Sequence, residues 1–306
     1  MQRYLLQRLL HSAFVLLGLA IVVFFLVRLS GDPSALMLPL DATEQDQAVM
    51  RTYLGLDKPL PVQFVEFLGR AVTGDFGVSI RHRLPAMAMV LERMPATLQL
   101  AAVAFVIALV IAVPLGILSA LYPNSWLDRL SVVLALFGQA IPTFLLGIIL
   151  ILIFAVQLRV LPSSGRGGIE YLIMPALTLG PYSAAAINRL LRSGLREVMN
   201  EDYIRTARAK GFSRSYALTH HALKNAAIPV ITVMGLQIGT LMSGSVVTET
   251  VFAYPGAGLL LVQALGNRDF PIIQAFVIVI GVIVLCLNLA VDLLYAVIDP
   301  RIRLDT

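Results

Sequence analysis

Long uncharged stretches alternate with short polar stretches along the chain. No acidic residue, lysine or arginine lies between Arg8 and Arg28, and none lies between Arg93 and Asp128. An α-helix rises about 1.5 Å per residue, so about 20 apolar residues cross a hydrocarbon core of roughly 30 Å. The pattern predicts an all-α, polytopic membrane protein with six transmembrane helices, at residues 9–27, 97–121, 130–158, 171–191, 228–247 and 272–297.

The first apolar stretch is too long for a signal peptide, whose apolar core has about 7–15 residues before a small-residue cleavage site. We therefore predict that residues 1–29 hold the amino terminus and the first transmembrane helix. Residues 30–96 form an extracytoplasmic region, residues 97–298 form a core of five transmembrane helices, and residues 299–306 form a tail. A polar loop at residues 197–228 interrupts the core.

Proline and glycine fall inside several predicted spans. Pro114 lies in the second span, and Gly138 and Pro142 lie in the third. In a membrane, neighbouring helices satisfy the backbone groups that such breaks release. These residues therefore predict either a functional bend or a packing adjustment.

Residues 30–96 are too polar to span a membrane, and their pattern predicts two short helices. Thr43 caps the first, which ends at Gly55. Pro61 starts the second, with an apolar face made of Val62, Phe64, Val65 and Phe67. Amphipathic helices of this kind lie on a membrane surface or pack on other helices, and we expect packing.

The polar loop concentrates basic residues. It and its approach carry Arg189, Arg192, Arg196, Arg205, Arg208, Lys210, Arg214 and Lys224. Gly211 interrupts an otherwise helix-prone run, and glycine readily takes the left-handed conformation that ends a helix. The pattern predicts two short helices joined at a bend, projecting into water, in a form that can dock into another protein.

Composition supports a membrane protein and argues against a nucleic-acid-binding protein. The chain is 58% hydrophobic and only 13% charged, whereas soluble domains are about 25% charged. Its basic residues are mostly arginines beside apolar stretches, which membrane topology explains better than phosphate binding does. The single cysteine, Cys286, leaves no possibility of a disulfide or a cysteine-ligated metal site within the chain.

The distribution of lysine and arginine predicts the orientation. With the amino terminus inside, inner segments carry thirteen of these residues, and the short outer loops carry three. The rule discounts long segments such as residues 30–96. Both termini and the polar loop are therefore predicted to be cytoplasmic.

Several motifs carry a family resemblance. The run Asp202-Tyr-Ile-Arg-Thr-Ala-Arg-Ala-Lys-Gly-Phe-Ser213, followed by the run from His221 to Pro229, resembles the cytoplasmic loop of ATP-binding-cassette (ABC) importer permeases. It is most similar to the branch that imports dipeptides, oligopeptides, glutathione and nickel chelates. The superfamily pattern has Glu-Ala-Ala before the glycine, where this chain has Arg205-Thr206-Ala207, so the peptide branch fits better. Further motifs similar to that branch occur at residues 74–79, 249–258, 267–274 and 299–303.

The resemblance implies a type I ABC importer permease in a bacterial inner membrane, forming half of a pathway for dipeptides or oligopeptides. A nickel, metallophore or glutathione importer is the alternative. The expected partners are a homologous second permease, two cytoplasmic ATP-binding subunits, an extracytoplasmic solute-binding protein and membrane lipid. The residues expected to couple to the ATPase are Tyr203, Arg205, Ala207, Arg208, Lys210 and Gly211. Those expected at an outer gate or binding-protein contact are Gly74, Asp75, Phe76, Gly77, Glu249, Pro255 and Gly256.

The sequence predicts no ATP site, catalytic group or metal site in this chain. A Walker A loop needs a lysine directly after glycine, but Lys58, Lys210 and Lys224 follow other residues. The adjacent pair His220 and His221 would point about 100° apart on a regular helix, which is unsuited to one metal ion. ATP and Mg²⁺ are therefore expected on partner subunits, with no cofactor in this chain.

Asp292 is an acidic residue inside the sixth predicted span. Acids in membranes are costly and are usually paired or functional. We expect a structural ion pair, with Arg8 or Arg189 as the partner. The competing hypothesis is a proton-coupled secondary transporter that uses Asp292.

Overall fold

The computed structural model describes residues 2–29, 34, 38, 43–53 and 55–298. Within these residues the only strand-like pairing is an isolated antiparallel bridge between Val78 and Pro85, so the all-α prediction is confirmed. The described chain divides into two compact units. Unit 1 comprises Met1–Ala96 and Pro255–Leu285, and unit 2 comprises Thr97–Tyr254 and Cys286–Thr306. The predicted tail at 299–306 lies outside the described residues.

The α-helices of the described residues follow one another along the chain in this order. They are α1 (Gln2–Leu29), α2 (Glu44–Tyr53), α3 (Leu60–Val72), α4 (Ala86–Leu121), α5 (Trp126–Ala140), α6 (Thr143–Leu150), α7 (Glu170–Val198), α8 (Asp202–Ala209), α9 (Arg214–Ala217), α10 (Leu223–Val251), α11 (Ala257–Gly266) and α12 (Phe270–Ile298). A π-helical segment, Ile151–Gln157, extends α6, and a π-helical turn, Leu218–Ala222, joins α9 to α10.

The helices long and apolar enough to cross a membrane match most of the predicted spans. Among the described residues these are Leu6–Leu29, Ala86–Leu121, Pro229–Val251 and Phe270–Val291, and the α5–α6 pair adds a fifth if it counts as one span. The remaining predicted span, 171–191, lies within α7. Helix α7 is less apolar because it carries Arg189, Arg192 and Arg196, and it packs against α5, α6 and α10.

The third predicted span is two helices, which corrects the expectation of a single one. Helices α5 and α6 meet at an angle of 103°. The helical conformation is disfavoured for a residue that precedes proline. Ile141 precedes Pro142 and is extended, with φ −83° and ψ 120°. Helix α5 therefore ends at Ala140, and Pro142 begins a new direction. The structure shows a sharp bend at this position, where the sequence had left a functional bend and a packing adjustment open.

In unit 1, α3 packs on α1 through an aromatic cluster. The ring of Phe24 lies 5.1 Å from that of Phe64 and 5.6 Å from that of Phe67, measured between centroids. Arg28 lies 3.6 Å above the Phe24 ring and donates to Gln63 Oε1 at 2.7 Å. The expected packing of this helix is thus present.

The predicted apolar face of α3 was wrong in part. Val62 and Val65 are exposed, whereas Gln63 and Phe67 are buried. A cation near an apolar helix face needs a polar partner, and the amide of Gln63 supplies it to Arg28. This bond fixes the rotation of α3, which periodicity alone did not reveal.

The first short helix has the ends that were predicted. The amide of Asp46 donates to Thr43 Oγ1 at 3.2 Å, and the amide of Thr43 donates to Asp46 Oδ2 at 2.9 Å. These bonds form a reciprocal cap, and those from Thr43 hold the pKa of Asp46 below its usual value. At the other end, Gly55 has a positive φ of 65°. Both ends of α2 confirm the expectation.

Unit 2 is built around α7 and one continuous hydrophobic core. The buried members of the core come from four parts of the chain: α4, α7, the polar loop and the start of α10. They include Ala120, Leu195, Ile204, Leu218 and Ala226. The loop is therefore a packed part of unit 2.

We predict that Gly138→Ala destabilises the protein because it separates α5 from α7. A β-carbon at Gly138 would lie 2.6 Å from the carbonyl oxygen of Pro181, so backbone must move, and such overpacking costs about 1–3 kcal/mol. The measurement is thermal unfolding in mild detergent. Gly18→Ala is the control because a β-carbon there meets nothing within 4 Å. Equal melting temperatures for the two variants would contradict the packing.

Candidate functional site

Helix α8 presents one face to the core and the other to solvent. Ile204 is completely buried, and Ala207 is 8% exposed. The outward face carries Tyr203 and the basic residues Arg205, Arg208 and Lys210. The structure thus brings five of the residues expected to couple to the ATPase onto one short helix and its cap. Ala207 lies on the buried face, where it packs.

Gly211 ends α8 in a hydrogen-bonded stop. Its φ is +92°, its amide donates to the carbonyl of Arg208 at 3.0 Å, and the amide of Phe212 donates to the carbonyl of Ala207 at 3.3 Å. This pair of bonds is a Schellman motif, which requires a left-handed residue. The bend predicted at Gly211 is present and has a defined geometry.

A stack of aromatic rings follows the glycine. The ring centroids of Phe212 and Tyr216 are 4.8 Å apart, and those of Tyr216 and His220 are 4.0 Å apart, both in stacked geometry. Phe212 and Tyr216 are each about 40% exposed. From the sequence, His220 and His221 were judged unsuited to binding one metal ion, and the stack was not predicted, although the i, i+4 spacing of Phe212, Tyr216 and His220 was visible.

The outward face of α8 carries two exposed polar contacts. The amide of Asn225 donates to the Tyr203 hydroxyl at 2.7 Å, and Arg205 forms an ion pair with Asp202 at 3.2 Å. Both members of that pair are highly exposed, so it contributes little to stability. The basic groups of α8 therefore remain available to an external acceptor.

An ion cluster lies where α4, α5 and α7 end or begin. Asp128 is 4% exposed. Its carboxylate accepts from Arg192 Nε at 2.8 Å, from a terminal nitrogen of Arg196 at 2.6 Å and from the Ser119 hydroxyl. This cluster is not evident from the sequence, because its acid and its arginines lie more than sixty positions apart.

The polar loop is joined to the same place. Arg214, in α9, donates to the carbonyl of Ala120 at 3.4 Å, and Arg196 donates to the carbonyl of Ser119 at 3.4 Å. The last turn of α4 therefore receives donors from both α7 and the loop. The ion cluster, the loop and the end of α4 form one bonded group.

In unit 1, residues 74–79 form a tight turn. Gly74 and Gly77 have positive φ values of 75° and 83°, and Asp75 Oδ1 accepts from the amide of Gly77 at 2.9 Å. Phe76 is buried with its ring 6.3 Å from that of Phe67. These expected gate residues form a folded turn.

This turn is tied to the α11–α12 connection by Asp269. Its buried carboxylate accepts from the Ser79 hydroxyl and from the amides of Ile80 and Arg81, at 3.2 and 3.3 Å. Arg81 also donates to Asn267 Oδ1 at 2.9 Å. Two motifs that resemble the peptide branch therefore meet through one carboxylate.

The other expected gate residues are placed differently. Glu249 belongs to unit 2, is completely buried and accepts from the Thr97 hydroxyl at 2.7 Å. Pro255 and Gly256 belong to unit 1, where they lead into α11. Tyr254, which lies between Glu249 and Pro255 in the sequence, is completely buried. Burial raises the pKa of Tyr254, and the charge of Arg166 opposes this shift.

Asp292 lies in α12, but its side chain is outside the described part of the structure. In that described part, no group of three or more histidine, cysteine or acidic side chains is placed to hold a metal ion.

Together, these features define a multi-pass helical membrane protein with a folded basic loop. The family described as "Binding-protein-dependent transport system inner membrane component" matches residues 112–304, and the corresponding amino-terminal family matches residues 1–101. The chain belongs to this family, the inner-membrane permease subunits of ABC importers. The family resemblance in the sequence is thereby confirmed.

Similar proteins agree with this assignment. The glutathione transport system permease protein GsiC of Salmonella typhimurium is 43% identical over 304 residues, which cover 99% of both chains. The GsiC protein of Escherichia coli K12 is 42% identical over the same length. A solved structure of the MetNI methionine ABC transporter in an inward-facing conformation is 20% identical, with a TM-score of 0.60 over 70% of this chain and 97% of that one. That similarity supports the type I permease fold.

We predict that Ile204→Ala loosens α8 from the core. Removing a buried isoleucine side chain costs about 2–5 kcal/mol, and Ile204 belongs to the core beneath the polar loop. Hydrogen exchange of residues 202–217 should become faster. Arg205→Ala, which changes the exposed neighbour, should leave exchange unchanged. Equal exchange in the two variants would contradict the packing of α8.

Proposed function

We propose that the chain forms half of the translocation pathway of an importer for short peptides, beside a homologous second permease. The observation that carries the proposal is the 43% identity with glutathione permeases over 99% of both chains. Glutathione is a tripeptide, so these relatives support the peptide class and make glutathione the first solute to test. No observation favours a nickel or metallophore substrate.

The energy source in this proposal is ATP hydrolysed on two cytoplasmic partner subunits, which bind ATP and Mg²⁺. In this proposal ATP is not bound by this chain, which is supported by the absence of a lysine directly after glycine, as a Walker A loop requires. An extracytoplasmic binding protein delivers the solute. Both termini and the polar loop face the cytoplasm, which the arginine and lysine distribution supports.

The docking surface in this proposal is the outward face of the polar loop. Arg205, Arg208 and Lys210 offer charged donors, and arginine forms paired hydrogen bonds with carboxylates. The exposed rings of Phe212 and Tyr216 add an aromatic anchor, which is the kind of group that dominates binding energy at interfaces. The partner cleft should therefore combine acidic groups with an apolar pocket.

On the opposite side of the membrane, we propose that the Gly74–Gly77 turn and Pro255–Gly256 contact the binding protein or shape the outer gate. Hydrogen bonds through Asp269 support the turn. In this proposal Glu249 acts from within the fold, because it is buried and bonded to Thr97.

The test of this function is uptake by the complete importer in proteoliposomes, with ATP inside or outside the vesicles and with a proton gradient as the alternative energy source. We expect ATP-dependent uptake of glutathione or dipeptides and none driven by the proton gradient. Uptake driven by protons alone would contradict the proposal and point to Asp292. If ATP drove uptake of nickel chelates but of no peptide, the proposed substrate class would be wrong, and nickel chelates would take the place of short peptides.

The same vesicles test the polar loop through Gly211. Valine there is strained at a φ of +92° although a β-carbon meets nothing within 4 Å, and such strain costs about 1–3 kcal/mol. We expect Gly211→Val to remain in the membrane and to lose solute-stimulated ATP hydrolysis and uptake. Gly211→Asn is the control, because asparagine tolerates left-handed conformations better. Normal uptake by the valine variant would contradict a coupling role for α8.

A further inference from the structure

The ion cluster of Asp128, Arg192 and Arg196 joins three helices at the place where the polar loop packs. We infer that this cluster is a clamp that transmits movement of the polar loop to α4 and α5, with Asp128 as a positioning residue for ATP coupling. The inference rests on the proposed function, because it gives that function its route from the loop to the membrane helices.

The clamp also forms hydrogen bonds with the connection between α4 and α5. Helix α4 ends at Leu121 and α5 begins at Trp126. Asp128 Oδ2 accepts from the amide of Asn124 at 3.0 Å, and Ser125 caps α5 by accepting from the amide of Asp128 at 3.3 Å. The carboxylate that holds the two arginines therefore also holds the turn, so the turn follows α7.

The loop holds this connection from another side. Arg214 donates to the carbonyl of Ala120, and Ala120 shares a hydrophobic core with Ile204 and Leu218. A displacement of α8 or α9 therefore acts directly on the end of α4, without passing along the chain through α10. Helix α4 has 36 residues, which is long enough to cross a membrane.

The charges in the clamp are unbalanced. Two guanidinium groups meet one carboxylate, and the Nε atom of Arg196 is buried without a hydrogen-bond partner in the described structure. A buried unpaired donor costs about 1–3 kcal/mol. An apolar contact would hold the helices together without this cost. The directional bonds instead fix one relative position of α4, α5 and α7, which a transmitting element needs.

Coupling is measured as ATP hydrolysed per solute imported, in the complete importer in proteoliposomes. We expect Asp128→Asn to raise this ratio several-fold in complexes that still contain all subunits, because loop movement no longer reaches α4 fully. Asp128→Glu should restore the ratio partly. Arg129→Gln is the control, since Arg129 is the exposed neighbour of Asp128, and it should behave as wild type.

A second variant tests the clamp even if Asp128→Asn does not fold. Arg192 Nε donates to both Ser119 Oγ and Asp128 Oδ1 at 2.8 Å, and lysine keeps the charge but not this planar geometry. We expect Arg192→Lys to raise the ratio in the same direction by a smaller factor. Combined with Asp128→Asn, it should add little, as expected for residues in one network.

Three results would overturn the inference. The ratio could stay at the wild-type value in assembled Asp128→Asn or Arg192→Lys complexes. ATP hydrolysis and uptake could fall in proportion, which would indicate a structural anchor only. The effects of the two substitutions could also add independently. In each case ATP-driven uptake by the wild type would leave the proposed function intact, whereas wild-type uptake without ATP would overturn both.

Discussion

Two guanidinium groups share the carboxylate of Asp128, and this shared ion pair holds together the ends of α4, α5 and α7. The side chain of Asp128 is buried, whereas those of Arg192 and Arg196 are 26% and 32% exposed. Solvent weakens the attraction between such charges, so the cluster contributes less than the roughly 3–5 kcal/mol that breaking a fully buried ion pair costs. Its directional bonds nevertheless favour one arrangement of the three helix ends. The polar loop packs its apolar face on the same core, and its outward basic face is thereby held in a fixed direction.

A second carboxylate has a similar part in unit 1. Asp269 is buried and accepts from one hydroxyl and two backbone amides of residues 79–81. Buried acids of this kind are stable only when their oxygens are well supplied with donors. In both units, a buried carboxylate thus holds a turn in shape by accepting hydrogen bonds from it.

Much of this architecture followed from the sequence because it depends on local rules. The spans follow from the length of apolar runs, and the stops at Gly55 and Gly211 follow from positive φ angles. The rest depends on contacts between distant residues. The 103° angle between α5 and α6 needs neighbouring helices, and the rotation of α3 depends on Arg28. The Asp128 cluster joins residues 64 and 68 positions apart, beyond the reach of periodicity.

The most direct test of the clamp is a distance between two spin labels in one permease during the ATP cycle. Because Cys286 is the single cysteine, labels can be placed at Arg129 and Thr206, two exposed positions outside the docking residues, in a Cys286→Ser background with the complete importer in lipid. A rigid clamp predicts the same distance distribution in the apo state and with ATP bound, and a broader one with ATP in Asp128→Asn. A shift in the wild-type distance on ATP binding would show that the loop moves independently of α5, and would contradict it.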